Sequence, residues 1–67
     1  MRLKTRIHEL RREKGITQEE IANLTGVRRE TISLLELGKY NPSLKLGMDI
    51  AKILGRAVED VFEFCDD

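Results

Sequence analysis

The sequence offers few means of stapling a small fold. Cys65 is the only cysteine, so no disulfide can form within the chain. One cysteine and one histidine, His8, fall short of the four ligands of a structural zinc, and neither a metal nor a cofactor is expected. Tryptophan is absent, and one tyrosine and two phenylalanines make up the aromatic content. No apolar run approaches the ~20 residues of a membrane span, and no apolar leader segment follows the first residues. A soluble cytoplasmic protein is the resulting expectation. Catalytic groupings are missing too: there is no Ser/His/Asp set, no acid pair in a cleft signature and no phosphate-cradling glycine loop. An enzyme is not expected. The 67 residues have room for one domain over 1–67, and a core this small calls for good helix packing, a partner subunit, or both.

A net charge of zero argues at first against a nucleic-acid partner, but the charge is unevenly placed. Residues 1–45 carry +4 and residues 46–67 carry −4. Such polarity suits a protein that meets an anion with one face, although chance clustering on a solvated surface would look the same.

The hydrophobic spacing and the glycines predict five helices. The first runs from near Thr5 to just before Gly15, with Ile7 and Leu10 on one face. Thr17-Gln18-Glu19-Glu20 is a capping box that opens the second, whose inward residues are read as Ile21, Ala22 and Leu24 and which Gly26 ends. The third spans about Arg28 to Leu37, with Ile32 and Leu35 inward, and stops at Gly38. Ser43 caps a fourth from Leu44 to Leu54, which contributes Met48, Ala51 and Leu54 to the expected core and contains one local inconsistency, Gly47. A short fifth covers about Val58 to Phe62. Phe62 and Phe64 alternate with Glu63 and Cys65, which reads equally as a short strand or a frayed end.

The most informative stretch is QEEIANLTGVRRETISLLEL, residues 18–37. Two helices that cross closely through a short turn need a small residue facing the partner, supplied by Ala22. The turn needs a residue able to take positive φ, supplied by Gly26. Val27, Ile32 and Leu35 then anchor the second helix of the pair. With I-x-x-L-R-x-x-K-G-I-T-Q-E-E-I-A from Ile7, G-V-x-R-x-T-I-S from Gly26, G-K-Y-N-P-S from Gly38 and I-A-K-I-L-G from Ile50, the chain resembles the Cro and phage-repressor (XRE) family of helix-turn-helix regulators in its compact form. The resemblance implies an all-α, five-helix domain, with a short terminal β pairing admissible, that binds double-stranded DNA and regulates transcription, most often by repression.

The resemblance also implies roles for residues. The third helix would lie in the major groove and the second across it. Arg29, Glu30, Ser33 and Leu34 would read base edges: arginine suits guanine, glutamate can accept from cytosine, and leucine can touch a thymine methyl. Gln18, Arg28, Thr31, Lys39, Asn41 and Ser43 would contact phosphate and fix position. Arg11 and Glu36 would form a partly buried ion pair between the first helix and the end of the third. The simpler alternatives are solvated charges at Arg29, Arg11 and Glu36, and Leu34 packing on Tyr40. Three departures from the family pattern bear on operator sequence: Arg28 replaces the usual Ser or Thr cap, Glu30 the common Gln, and Leu34 and Leu37 smaller or polar residues.

Val58, Val61, Phe62 and Phe64 crowd the C-terminal region, beyond what the expected core of helices one to four would absorb. Compact members of the resembled family pair through that region. A homodimer is therefore expected with these four residues at its interface, with or without strand pairing of residues 1–4 and 61–66, and with a near-palindromic operator. The competing function is an antitoxin-like module that binds protein through an apolar Leu34 and Leu37 face. Cys65 has no neighbouring cation in sequence to activate it and is read as inert, and His8 as an exposed helix residue.

Overall fold

The computed structural model describes residues 1–66 and is mostly helical, with one two-stranded antiparallel sheet. In chain order the elements are β1 (Arg2–Thr5), α1 (Ile7–Lys14), α2 (Gln18–Thr25), α3 (Arg29–Glu36), α4 (Leu44–Leu54), α5 (Val58–Val61) and β2 (Phe62–Cys65). The two strands come from opposite ends of the chain and pair in the register Arg2 with Cys65 through Thr5 with Phe62.

That pairing moves the start of the first helix. Thr5 is the last residue of β1 instead of a helical residue, and α1 begins at Ile7 without a side-chain cap. The Arg6 N–H donates to the Val61 carbonyl at 2.9 Å, which welds the sheet to the entry of α1. The other helix boundaries follow local chemistry. The Thr17 hydroxyl accepts from the Glu20 N–H at 3.0 Å while the Glu20 carboxylate accepts from the Thr17 N–H at 3.0 Å, closing the capping box. The Ser43 hydroxyl accepts from the Leu46 N–H at 3.1 Å and starts α4. Gly26 ends α2 with φ 75°, the left-handed conformation that lets the chain turn into α3.

The core is built from Ile7 and Leu10 of α1, Ile21 and Ala22 of α2, and Ile32 and Leu35 of α3, closed by α4 and Val61. Two residues expected inside are outside: Leu24 is 67% exposed and Met48 54%. On α2 the inward face is fixed by Ile21, Ala22 and half-buried Thr25, and at 100° per residue Leu24 points about 110° away from its centre. On α4 the inward set is Leu46, Gly47, Ile50, Ala51 and Leu54, which likewise turns Met48 to solvent. Gly47 carries no steric demand for glycine, since an added Cβ would rest 3.6 Å from the Phe62 ring, an ordinary contact.

Val61 is corrected as well. It is 1% exposed and belongs to the core of its own chain, so it cannot face a partner. Leu3 of β1 is buried too, at 5% exposed. Val58 and Phe62 are half-buried against the core, and Phe64 remains 52% exposed. The monomer receives most of the apolar residues that looked surplus, because β2 folds them back onto β1 and α4. Among the described residues no helix is long and apolar enough to cross a membrane.

Candidate nucleic-acid interface

Helix α3 divides cleanly by face. Ile32 and Leu35 are 0% exposed, and this anchoring turns the opposite side of the helix outward. Arg28 is the N-cap, and its guanidinium, which only donates, cannot accept from the first N–H groups, so the helix starts without a side-chain cap. Arg29 and Glu30 follow in the first turn, both exposed. Thr31 and Ser33 are half-buried, and Leu34, one turn on from Glu30, is 42% exposed. The base-reading candidates therefore lie along the solvent side of α3, with Ser33 nearest its flank.

The N-terminus of α2 lies beside this surface. An open cleft of about 580 Å³ is lined by Arg11, Thr17, Gln18, Glu19, Glu20, Asn23 and Arg29, so residues of α1, α2 and α3 share one wall. Lys39 and Asn41 are exposed on the loop between α3 and α4, and Ser43, exposed too, has its oxygen engaged in capping and its O–H left to donate. The candidate phosphate contacts thus fall in three places: Gln18 at the start of α2, Arg28 and Thr31 at the start of α3, and Lys39, Asn41 and Ser43 on the loop leading to α4.

Arg11 and Glu36 meet beneath this surface. Arg11 Nε donates to Glu36 Oε2 at 2.9 Å, and the side chains are 12% and 7% exposed. Arg11 Nη1 also donates to the Ile16 carbonyl at 3.0 Å, so one guanidinium ties α1, the loop into α2, and α3 together. Glu36 Oε1 accepts from Gln18 Nε2 at 3.1 Å and faces His8 Nδ1 at 3.3 Å. Burial alone would raise the Glu36 carboxyl. The hydrogen bonds from Arg11 and Gln18, with the attraction of Arg11, outweigh it and hold the group below its ordinary value. Glu20 is also lowered, first by the Thr17 N–H and then by the Thr17 hydroxyl.

Sequence reasoning placed Arg11 with Glu36 but did not connect Gln18 or His8 to them. His8 precedes Arg11 by three residues on α1, the one available signal, because such a spacing puts two side chains on the same helical face. The link from Gln18 to Glu36 spans 18 residues and has no local signature.

A close crossing of α2 and α3, an exposed and polar leading turn on α3, and a basic loop behind it define a helix-turn-helix DNA-binding protein. The comparisons carry this further. The helix-turn-helix family model matches residues 7–61, and the chain belongs to the XRE-type helix-turn-helix family of transcriptional regulators. It is 54% identical over 65 residues to an HTH-type transcriptional regulator of Archaeoglobus fulgidus, covering 97% of this chain and 93% of the relative. A second such regulator, from Methanothermobacter thermautotrophicus, is 50% identical, with 97% of this chain and 96% of the relative covered. Among solved structures, the restriction-modification controller protein of Aeromonas hydrophila superposes with a TM-score of 0.74 at 34% identity, covering 82% of this chain and 83% of that one.

Proposed function

We propose that residues 1–67 act as one unit that binds a near-palindromic operator as a two-fold dimer and represses the adjacent promoter, with α3 in the major groove. The observation that carries this reading is the exposed Arg29–Glu30 turn, held outward by the buried Ile32 and Leu35 of the same helix. Arg29, Glu30, Ser33 and Leu34 read bases; Gln18, Arg28, Thr31, Lys39, Asn41 and Ser43 contact the backbone. Arg29 is suited to a bidentate contact with guanine, and Glu30 to accepting from a cytosine amino group.

Selection of bound sequences from a random duplex pool tests the reading directly. The protein should enrich one near-palindromic site. On that site Arg29→Ala should lose about 1–3 kcal/mol and its preference over random duplex, whereas Lys39→Ala should weaken all duplexes alike. An Arg29→Ala protein with an unchanged ratio of specific to random binding would mean that a different face of α3 reads the bases.

The dimer reading rests on the apolar groove formed by Leu3, Pro42, Leu44, Gly47, Val58, Phe62 and Phe64, about 160 Å³ in volume. Leu44 is 77% exposed and Phe64 52%, a combination suited to a self-complementary contact. Phe64→Glu should convert a dimer into a monomer in sedimentation at micromolar concentration and weaken operator binding at least tenfold. A wild-type monomer that binds its operator tightly would remove the dimer from the proposal.

The exposed Leu34 and Leu37, the latter 64% exposed, favour a second reading in which this face binds protein. Salt separates the two. Binding through phosphates weakens steeply as salt rises, while an apolar protein contact does not.

A further inference from the structure

We propose that His8 sets a pH dependence of DNA binding by acting, through the Glu36 carboxylate, on the side chain of Gln18. The inference rests on the reading of Gln18 as a phosphate contact. Its geometry centres on one ring nitrogen and one carboxylate oxygen. His8 Nδ1 lies 3.0 Å from Arg11 Nη2 and 3.3 Å from Glu36 Oε1. The first contact requires an unprotonated Nδ1, because a guanidinium only donates. The second requires a proton on Nδ1, because an ionised carboxylate only accepts. One nitrogen cannot do both at once, so the two contacts belong to different protonation arrangements of the ring.

In the neutral ring with its proton on Nε2, Nδ1 accepts from Arg11, and Glu36 Oε1 is left to Gln18 Nε2 at 3.1 Å and to Arg11 Nη2 at a longer 3.4 Å. Proton uptake turns Nδ1 into a cationic donor beside Oε1. A bond between two charged partners is stronger than one in which only the carboxylate is charged, so protonated His8 draws Oε1 toward itself and weakens its bond from the uncharged Gln18 amide. Glu36 itself stays in place, because Arg11 Nε holds its other oxygen at 2.9 Å. The tether that restrains the Gln18 side chain is loosened, and rotamer freedom regained in the free protein must be given up again on binding phosphate.

Among the described residues, Arg11 on its own helix and Glu36 from α3 lie against His8, Arg12 follows one turn further along α1, and Arg2 and Lys4 of β1 line the cleft beside Glu36. From α2 it meets the uncharged Gln18 through the shared oxygen, and α4 packs on α1 through the apolar core. The tether and the added charge pull in opposite directions. A new positive charge near phosphate strengthens binding, whereas release of Gln18 weakens it. His8 is 60% exposed, so its charge is screened by solvent and salt, while Gln18 stands at the contact itself. Release of the tether is the larger effect.

Affinity for a labelled random-sequence duplex, measured at one fixed ionic strength from about pH 8 to about pH 5.5, tests this over the interval in which histidine ordinarily changes charge. The protein should bind about three-fold more weakly at the acid end, the size of a lost side-chain restraint. His8→Gln, at an exposed site, removes the imidazole and should flatten the profile. Gln18→Ala should bind more weakly throughout and show no acid loss. A rise in affinity on acidification, a flat profile in the unsubstituted protein, or an acid loss that survives in either variant overturns the role of His8 while leaving DNA binding intact. No duplex binding at pH 8 would overturn the phosphate reading of Gln18 together with it.

Discussion

Replacing Gly38 by alanine should lower the stability of the fold by about 3 kcal/mol and cost more than the same change at an exposed helix end. Gly38 follows α3 with φ 73°, and its N–H donates to the Leu35 carbonyl at 3.0 Å. A side chain there meets two penalties. The left-handed conformation costs a non-glycine residue about 1–2 kcal/mol. The new Cβ would also overlap the carbonyl oxygen of Leu3, so β1 or the turn must shift. Leu3 is a buried strand residue, and moving it disturbs the pairing with Phe64. That total is to be set against about 3–10 kcal/mol of stability for a chain of this length. Gly15→Ala is the comparator: its φ is 69°, but its added Cβ meets nothing within 4 Å. Denaturant unfolding of the two variants separates conformational cost from overlap. Equal losses would mean that β1 does not press on the turn after α3.

What the sequence made legible was what local chemistry decides. Thr17 and Ser43 announce helix starts because a short polar side chain before an apolar pattern has one obvious use. Gly26 and Gly55 announce helix ends for the same kind of reason. The misread positions depend on partners distant in the chain. Thr5 joins a strand only because residues 62–65 return to it, and no short window contains both. Leu24 and Met48 were counted inward for their apolarity, yet each helix has one inward direction, and the residues touching α3 or α1 set it. The surplus of C-terminal apolar residues was likewise overcounted, because Val61 finds full cover within the chain and Val58 and Phe62 find part of theirs there. At the candidate site, the order of exposed residues along α3 followed from its period, with Ile32 and Leu35 fixing the opposite side. The sharing of Glu36 among Arg11, Gln18 and His8 could not be read this way, since it is a three-helix coincidence of side-chain ends.

That shared carboxylate also carries the second large effect. Arg11→Met should destabilise the fold by about 3 kcal/mol, because it strands a nearly buried negative charge and leaves the Ile16 carbonyl without its guanidinium donor. Glu36→Leu should cost less than the mirror reasoning suggests, since Arg11 keeps the carbonyl and can reach water with its free end. In the double variant no charge is left stranded, so its loss should fall well short of the sum of the two single losses; a coupling of about 1–3 kcal/mol is the expected result. Acid gives an independent reading of the same pair. In the unsubstituted protein the Glu36 carboxyl lies below its ordinary value of 4.5, so the pair stabilises the fold above that pH and the contribution is lost as pH falls through the lowered value. Without Arg11 the main force holding the group down is gone and burial pushes it up, so protonation on folding relieves the stranded charge. The stability gap between the unsubstituted protein and Arg11→Met should therefore narrow as pH drops below about 5. Additive losses in the cycle, or a gap that stays constant into acid, would show that Arg11 and Glu36 contribute separately and that the tie between α1 and α3 lies in the apolar packing of Leu10 and Leu35 alone.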